Sequence, residues 1–194
     1  MRILIMYATL MPVVLAGAAN MIFTRSKLYR NHNTPIDGGR NFTDGRRIFG
    51  DNKTWAGFIG MIVATAIAQL FWGILTSNLD IIGSRNELYN RFDNTILFNI
   101  VAGALFGLMY VLFELPNSFI KRRLGIQPGK TEDGFKGKLF FLIDQIDSLL
   151  GVVLLLTLIT GLTFPQYIQY IILGAFTHIM LNVLLYTLKI RKNI

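Results

Sequence analysis

Two aspartates three residues apart, in Asp144-Gln145-Ile146-Asp147-Ser148, stand inside a stretch that is otherwise apolar. On a helix, positions i and i+3 share a face, so the two carboxylates converge. Each costs about 2.5–3.5 kcal/mol to place at the centre of a membrane helix, less near the interface, and the pair repels unless a cation lies between them. A divalent cation meets both demands. Magnesium takes one or two carboxylates and completes its shell with water and phosphate, which suits a site with few other oxygen donors, whereas calcium cages need more. A salt-bridge network with Lys121, Arg122 or Lys138 is the competing arrangement.

A second run, Asp44-Gly45-Arg46-Arg47-Ile48-Phe49-Gly50-Asp51-Asn52-Lys53-Thr54-Trp55-Ala56-Gly57, mixes glycine with cations. Gly45 and Gly50 have the Walker A spacing, but Asp51-Asn52 separates them from Lys53-Thr54 and no parallel strand precedes the loop, so it is not a P-loop. Lys53 and Thr54 lead straight into an apolar helix whose free amides would still favour phosphate. Thr54 can equally act as an N-cap alone. A third run, Glu114-Leu115-Pro116-Asn117-Ser118-Phe119-Ile120-Lys121-Arg122-Arg123, ends an apolar stretch at a proline and passes to a polar pair and three cations. These would neutralise charge on a leaving diphosphate, or simply anchor the topology. His178 and Asn182, four apart, share a face and read chiefly as interhelical glue.

The elements that must position these residues are membrane spans. Of 194 residues 53% are hydrophobic and 15% charged, against about 25% charged in an ordinary soluble domain. Five windows reach the roughly 20 apolar residues that a bilayer core requires: 3–23, 56–76, 95–115, 141–162 and 167–188. The fold expected is all-α, one membrane domain over 1–194, with the first window a retained span and not a cleaved signal. Sixteen of the nineteen Lys/Arg fall in 24–55, 116–140 and the tail; only Arg2, Arg85 and Arg91 lie opposite. The positive-inside rule then makes 24–55 and 116–140 cytoplasmic loops, with the N-terminus outside and the C-terminus in the cytoplasm. This distribution also turns the net charge of +8 away from nucleic acid and towards a bilayer. With no cysteine there is no disulfide, thiolate metal site or cysteine nucleophile. The segment 77–94 reads as an outer connection without chemistry, and Pro165 marks a tight hairpin between the last two spans.

Pro35-Ile36-Asp37-Gly38-Gly39-Arg40, the run 44–57, the run 114–123 and 144–148 together resemble the CDP-archaeol synthases and their bacterial relatives over all five spans and both inner loops. Lys53-Thr54-Trp55, Ser118 with Lys121-Arg122, and Asp144 with Asp147-Ser148 also resemble the larger CDP-diacylglycerol synthases. Those have arginine where this chain has Gln145, and an upstream His-Gly-Gly segment that is absent here, which places the chain nearer the short branch. The resemblance implies CTP and Mg²⁺ at the inner loops. Asp144 and Asp147 would be metal ligands and, with Lys53 and Lys121, catalytic; Arg46, Arg47, Thr54, Asn117, Ser118 and Arg122 would contact the nucleotide.

The reaction expected is transfer of CMP from CTP to a membrane lipid phosphate. A phosphate monoester, with a second pKa near 6, is already a nucleophile at pH 7 and needs no base. A CTP-dependent lipid kinase would need one, for which Glu114 is the nearest candidate. A non-catalytic transporter or scaffold, with the aspartates as an ion path, leaves the glycine-rich basic loops without a purpose.

Overall fold

A computed structural model describes residues 2–79, 86–130 and 133–187. Arg85 and the tail cations Lys189, Arg191 and Lys192, which enter the charge count, lie outside the described residues. The elements are α1 (Arg2–Phe23), a short α2 (Lys27–Asn31), α3 (Trp55–Ser77), α4 (Ile96–Arg123), α5 (Gly134–Thr160) and α6 (Phe164–Thr187). All but α2 are long and apolar enough to cross a membrane, so the all-α, five-span architecture read from the sequence is present. Their outward faces carry side chains such as Phe71, Leu97, Leu158 and Ile172, which are exposed. In a bilayer this is the ordinary state of a lipid-facing surface.

Without a hydrophobic drive between helices inside lipid, the bundle relies on close backbone approach and polar contacts. A Cβ on Gly103 would stand 2.6 Å from the Thr65 carbonyl oxygen, and one on Gly151 2.6 Å from that of Met109. Glycine thus lets α4 pack directly on α3 and on α5. The end of the bundle away from Asp144 and Asp147 is tied by amides: Gln69 Nε2 donates to Tyr89 Oη at 3.0 Å and Asn99 Oδ1 at 3.2 Å. Pro12, inside α1, cannot donate to the Ala8 carbonyl. Trp72 Nε1 and Asn86 Nδ2 donate to that oxygen instead, at 2.8 and 3.2 Å, which docks α3 and the 86–94 segment on α1.

Two boundaries differ from the sequence reading. α4 does not stop at Pro116 but runs to Arg123, carrying Asn117, Ser118, Lys121 and Arg122 on helical turns. Proline removes one main-chain bond, a loss that a long helix packed among neighbours tolerates. α5 starts at Gly134, before the apolar stretch, so Asp144 and Asp147 sit in roughly its third and fourth turns. At its other end Gly161, in the left-handed region at φ 71°, closes α5, and Gln166 Oε1 accepts from Thr163 N at 2.7 Å to start α6.

Candidate active site

The run 44–57 forms a compact loop around one carboxylate. Asp37 is buried; its Oδ1 accepts from Gly39 N at 3.1 Å and Arg47 Nη2 at 2.6 Å, and its Oδ2 from Phe49 N and Gly50 N, both at 2.9 Å. Burial alone would raise the Asp37 carboxyl, but the Arg47 guanidinium and these three amides overturn that and hold it below the usual carboxylate range. Arg47 also bonds Asp51 at 2.5 Å, and its own proton is held more tightly by the two acids. The segment then pairs with 34–36, Ile36 N donating to Lys53 O at 2.8 Å and Trp55 N to Thr34 O at 3.0 Å. Thr54 caps α3, accepting from Gly57 N at 3.1 Å and donating to Tyr29 Oη at 2.9 Å.

This loop is bolted to the end of α4. Arg123 donates to the carbonyls of Arg46 at 3.0 Å and Arg47 at 2.5 Å, lies over the rings of Phe42 and Phe119, and receives a bond from Arg46 on its own carbonyl. Lys53 is delivered inward, where it pairs with Glu114. Burial opposes the Lys53 charge, yet Glu114, followed by Asp147 and Asp144, outweighs it and raises the ammonium above its ordinary value.

A cavity of about 490 Å³ opens at this end of the bundle. Seven of the ten site residues read from the sequence line it: Lys53, Asn117, Ser118, Lys121, Arg122, Asp144 and Asp147. Arg46, Arg47 and Thr54 do not; their groups are spent on loop structure and on the cap. The paired aspartates do share a face. A single nitrogen, Asn117 Nδ2, donates to Asp144 Oδ1 at 2.7 Å and Asp147 Oδ2 at 2.6 Å. Lys121 donates to both oxygens of Asp144, reaching Oδ2 at 2.5 Å. So the competing arrangement, a salt bridge, exists in part, from Lys121 to Asp144 only, and Asp147 faces the cavity beside an uncharged amide.

Two features stand out against normal accounting for buried polar groups. Arg122 is 6% exposed, and its Nε and Nη1 have no hydrogen-bond partner among the described residues. Asn117 Oδ1 is likewise buried without a partner. An unpaired buried guanidinium costs several kcal/mol, a cost that an anion in the cavity would offset. Gln145, between the two aspartates, also lines the cavity, as do Tyr110 and His178, which were unforeseen as wall residues because their neighbours in sequence are plain span residues. Asn182 does act as glue, donating to Gln145 Oε1 at 2.9 Å across α5 and α6.

A five-span bundle with two carboxylates, two paired lysines and an unpaired guanidinium around one polar cavity is that of a polytopic membrane protein, and its relatives make it an enzyme of the nucleotidyltransferase type. The CarS-like CDP-archaeol synthase family model matches residues 2–194, and the chain belongs to that family. The CDP-archaeol synthase of Methanospirillum hungatei JF-1 is 34% identical over 164 residues, spanning 81% of this chain and 87% of its own. That of Methanocaldococcus jannaschii is 30% identical over 183 residues, 94% and 91%. A solved intramembrane enzyme for archaeal membrane lipids biosynthesis has the same fold, with a TM-score of 0.62 at 21% identity over 91% of this chain and 92% of that one.

Proposed function

We propose that the protein transfers CMP from CTP to a lipid phosphate, releasing pyrophosphate, at a site on the cytoplasmic side of the cell membrane. The observation that carries the reading is the buried, unpaired Arg122 guanidinium on a cavity wall shared with Lys53 and Lys121. With Lys130 the cavity is lined by four cations, which suit a triphosphate, and the relatives' shared name supplies the cytidine and the lipid. An archaeol-type lipid phosphate is the first acceptor to try. The crowding of Lys and Arg at the cavity end of the chain supports a cytoplasmic opening.

The residues present fit a magnesium ion. Asp144, Asp147 and the unpartnered Asn117 Oδ1 are oxygen donors of the hard type it prefers. When bound, Mg²⁺ would offset charge on the phosphates. The chain's own residues do the rest. Lys53 and Arg122 hold the triphosphate, and Lys121, tethered by Asp144, stands where charge develops on the leaving group. An oxygen of the lipid phosphate forms the new bond to the α-phosphorus. The bond from that phosphorus to the α–β bridging oxygen breaks, and its electron pair leaves with pyrophosphate. No proton need move, which agrees with Glu114 being engaged by Lys53 and not placed as a base for an alcohol.

The test of the carrying observation is Arg122→Gln with calorimetric titration of CTP, CDP and cytidine. Loss of a charged hydrogen bond of about 1.5–3 kcal/mol predicts roughly 10- to 100-fold weaker CTP and almost unchanged cytidine. Equal weakening of all three would take Arg122 off the phosphates.

A further inference from the structure

One group of cations takes no part in the loop or the cavity. No Asp or Glu precedes Asp37, whereas Arg25, Lys27 and Arg30 crowd together just after α1. Elsewhere at this end of the bundle charge is matched within the protein, since Arg47, Lys53, Lys121 and Arg123 each hold an ion pair. Arg25, Lys27 and Arg30 are exposed and make no ion pair or side-chain hydrogen bond among the described residues. Lys27 and Arg30, three apart on α2, share a face.

α2 is too short to hold its place alone, yet it is fastened to both neighbouring spans. Ser26 caps it, accepting from Tyr29 N at 3.1 Å, and the Tyr29 hydroxyl accepts from Thr54 Oγ1 at 2.9 Å. The Tyr29 ring meets that of Phe23, the last residue of α1, edge-on with centroids 5.8 Å apart. A Cβ on Gly57, in the first turn of α3, would come within 3.7 Å of the same ring. The three cations therefore stand at the rim where α1 and α3 meet the bilayer surface, beside Thr24 and Lys53 of the cavity. Two apolar side chains complete the patch: Leu28 is 61% exposed, and Trp55, which opens α3, is 49% exposed. Tryptophan at a span end favours the headgroup layer. A soluble anion would match the cations alone, whereas an anionic lipid matches cations and apolar side chains together.

We infer that Arg25, Lys27 and Arg30, with Leu28 and Trp55, form a docking surface for anionic phospholipid headgroups in the leaflet on the cavity side. Its occupant is a lipid of the surrounding bilayer, held outside the cavity, and its binding does not depend on the reaction within.

The experiment places the protein in zwitterionic nanodiscs doped with a bromine-labelled lipid, phosphatidylglycerol in one set and phosphatidylcholine in the other, and reads the quenching of Trp55. Trp55→Phe supplies the background from Trp72, the other of the two tryptophans. Each cation near an anionic surface favours it about fivefold, so labelled phosphatidylglycerol is expected to quench more strongly, equivalent to enrichment of about fivefold or more beside Trp55. The triple variant Arg25→Gln, Lys27→Gln, Arg30→Gln should bring the two lipids to parity, while Lys138→Gln, which removes an exposed cation from α5, should leave the preference intact. High salt should lower the enrichment in the wild type, a check that needs no variant. Equal quenching by the two lipids in the wild type, or enrichment that survives the triple variant, overturns the docking surface. So does enrichment abolished by millimolar inorganic phosphate at constant ionic strength, which would make the three cations a site for soluble anions.

Discussion

Replacing Asp37 by asparagine exchanges one oxygen for an NH₂ group and should dismantle the loop that delivers Lys53. Each carboxylate oxygen serves two donors: Gly39 N–H and Arg47 on one, Phe49 and Gly50 N–H on the other. Whichever way the amide is turned, its NH₂ confronts two donors and leaves both without an acceptor. At about 1–3 kcal/mol for each unsatisfied group, and more for the guanidinium that loses its counter-charge, the loop weakens by about 3–6 kcal/mol. The five spans do not depend on it, so the damage is local. Limited trypsin digestion in nanodiscs reads it directly, because Arg40, Arg46 and Arg47 lie in the loop. Cleavage at these sites should accelerate about 100-fold or more, with CTP affinity falling in step and helix content constant. Asp51→Asn is the control, since that side chain is 72% exposed and its pair with Arg47 is worth about 1 kcal/mol or less. Cleavage of Asp37→Asn within twofold of the wild type, at unchanged CTP affinity, would refute the clamp.

Asp144→Asn and Asp147→Asn should each abolish turnover while the protein stays folded in detergent; near-normal activity of either at low magnesium would remove it from the metal site. Lys53→Ala should weaken CTP and CDP by about tenfold and cytidine hardly at all, checked by titration. The Asp37 carboxyl lies below its ordinary value, so its stabilisation is complete above about pH 4 and lost only as pH falls through the lowered value. Hydrogen-exchange protection of the Phe49 and Gly50 amides, corrected for intrinsic rate, should therefore be flat from pH 5 to 8; a fall beginning near pH 6 would mean that another group controls the loop.

Five spans were legible because apolar length is a property of each segment by itself, and the aspartate pair because i and i+3 fix a shared helical face. Asn117, Ser118, Lys121 and Arg122 could be grouped for the same reason, and α4 continuing through Pro116 only strengthens their common register. Arg46 and Arg47 could not be sorted. Their composition fits a nucleotide loop, but their partners, Asp37 and Arg123, are ten and seventy-six or more residues away, and only folding shows those contacts to be made within the protein. The 86–94 segment, read as a bare connection, proves to fill the acceptor site that Pro12 opens at Ala8, a pairing with no local signature. Tyr110 and His178 were hidden for another reason: a polar residue in a span announces burial, not which cavity it faces.

The central claim is tested most directly by following the α-phosphorus. Purified protein in nanodiscs, given α-³²P-labelled CTP, magnesium and an archaeol-type lipid phosphate, should carry the label into a CDP-lipid, with pyrophosphate appearing unlabelled and in equal amount. Label remaining in CDP while a lipid alcohol is consumed would contradict cytidylyl transfer and make the protein a lipid kinase, with Glu114 the first residue to examine as its base.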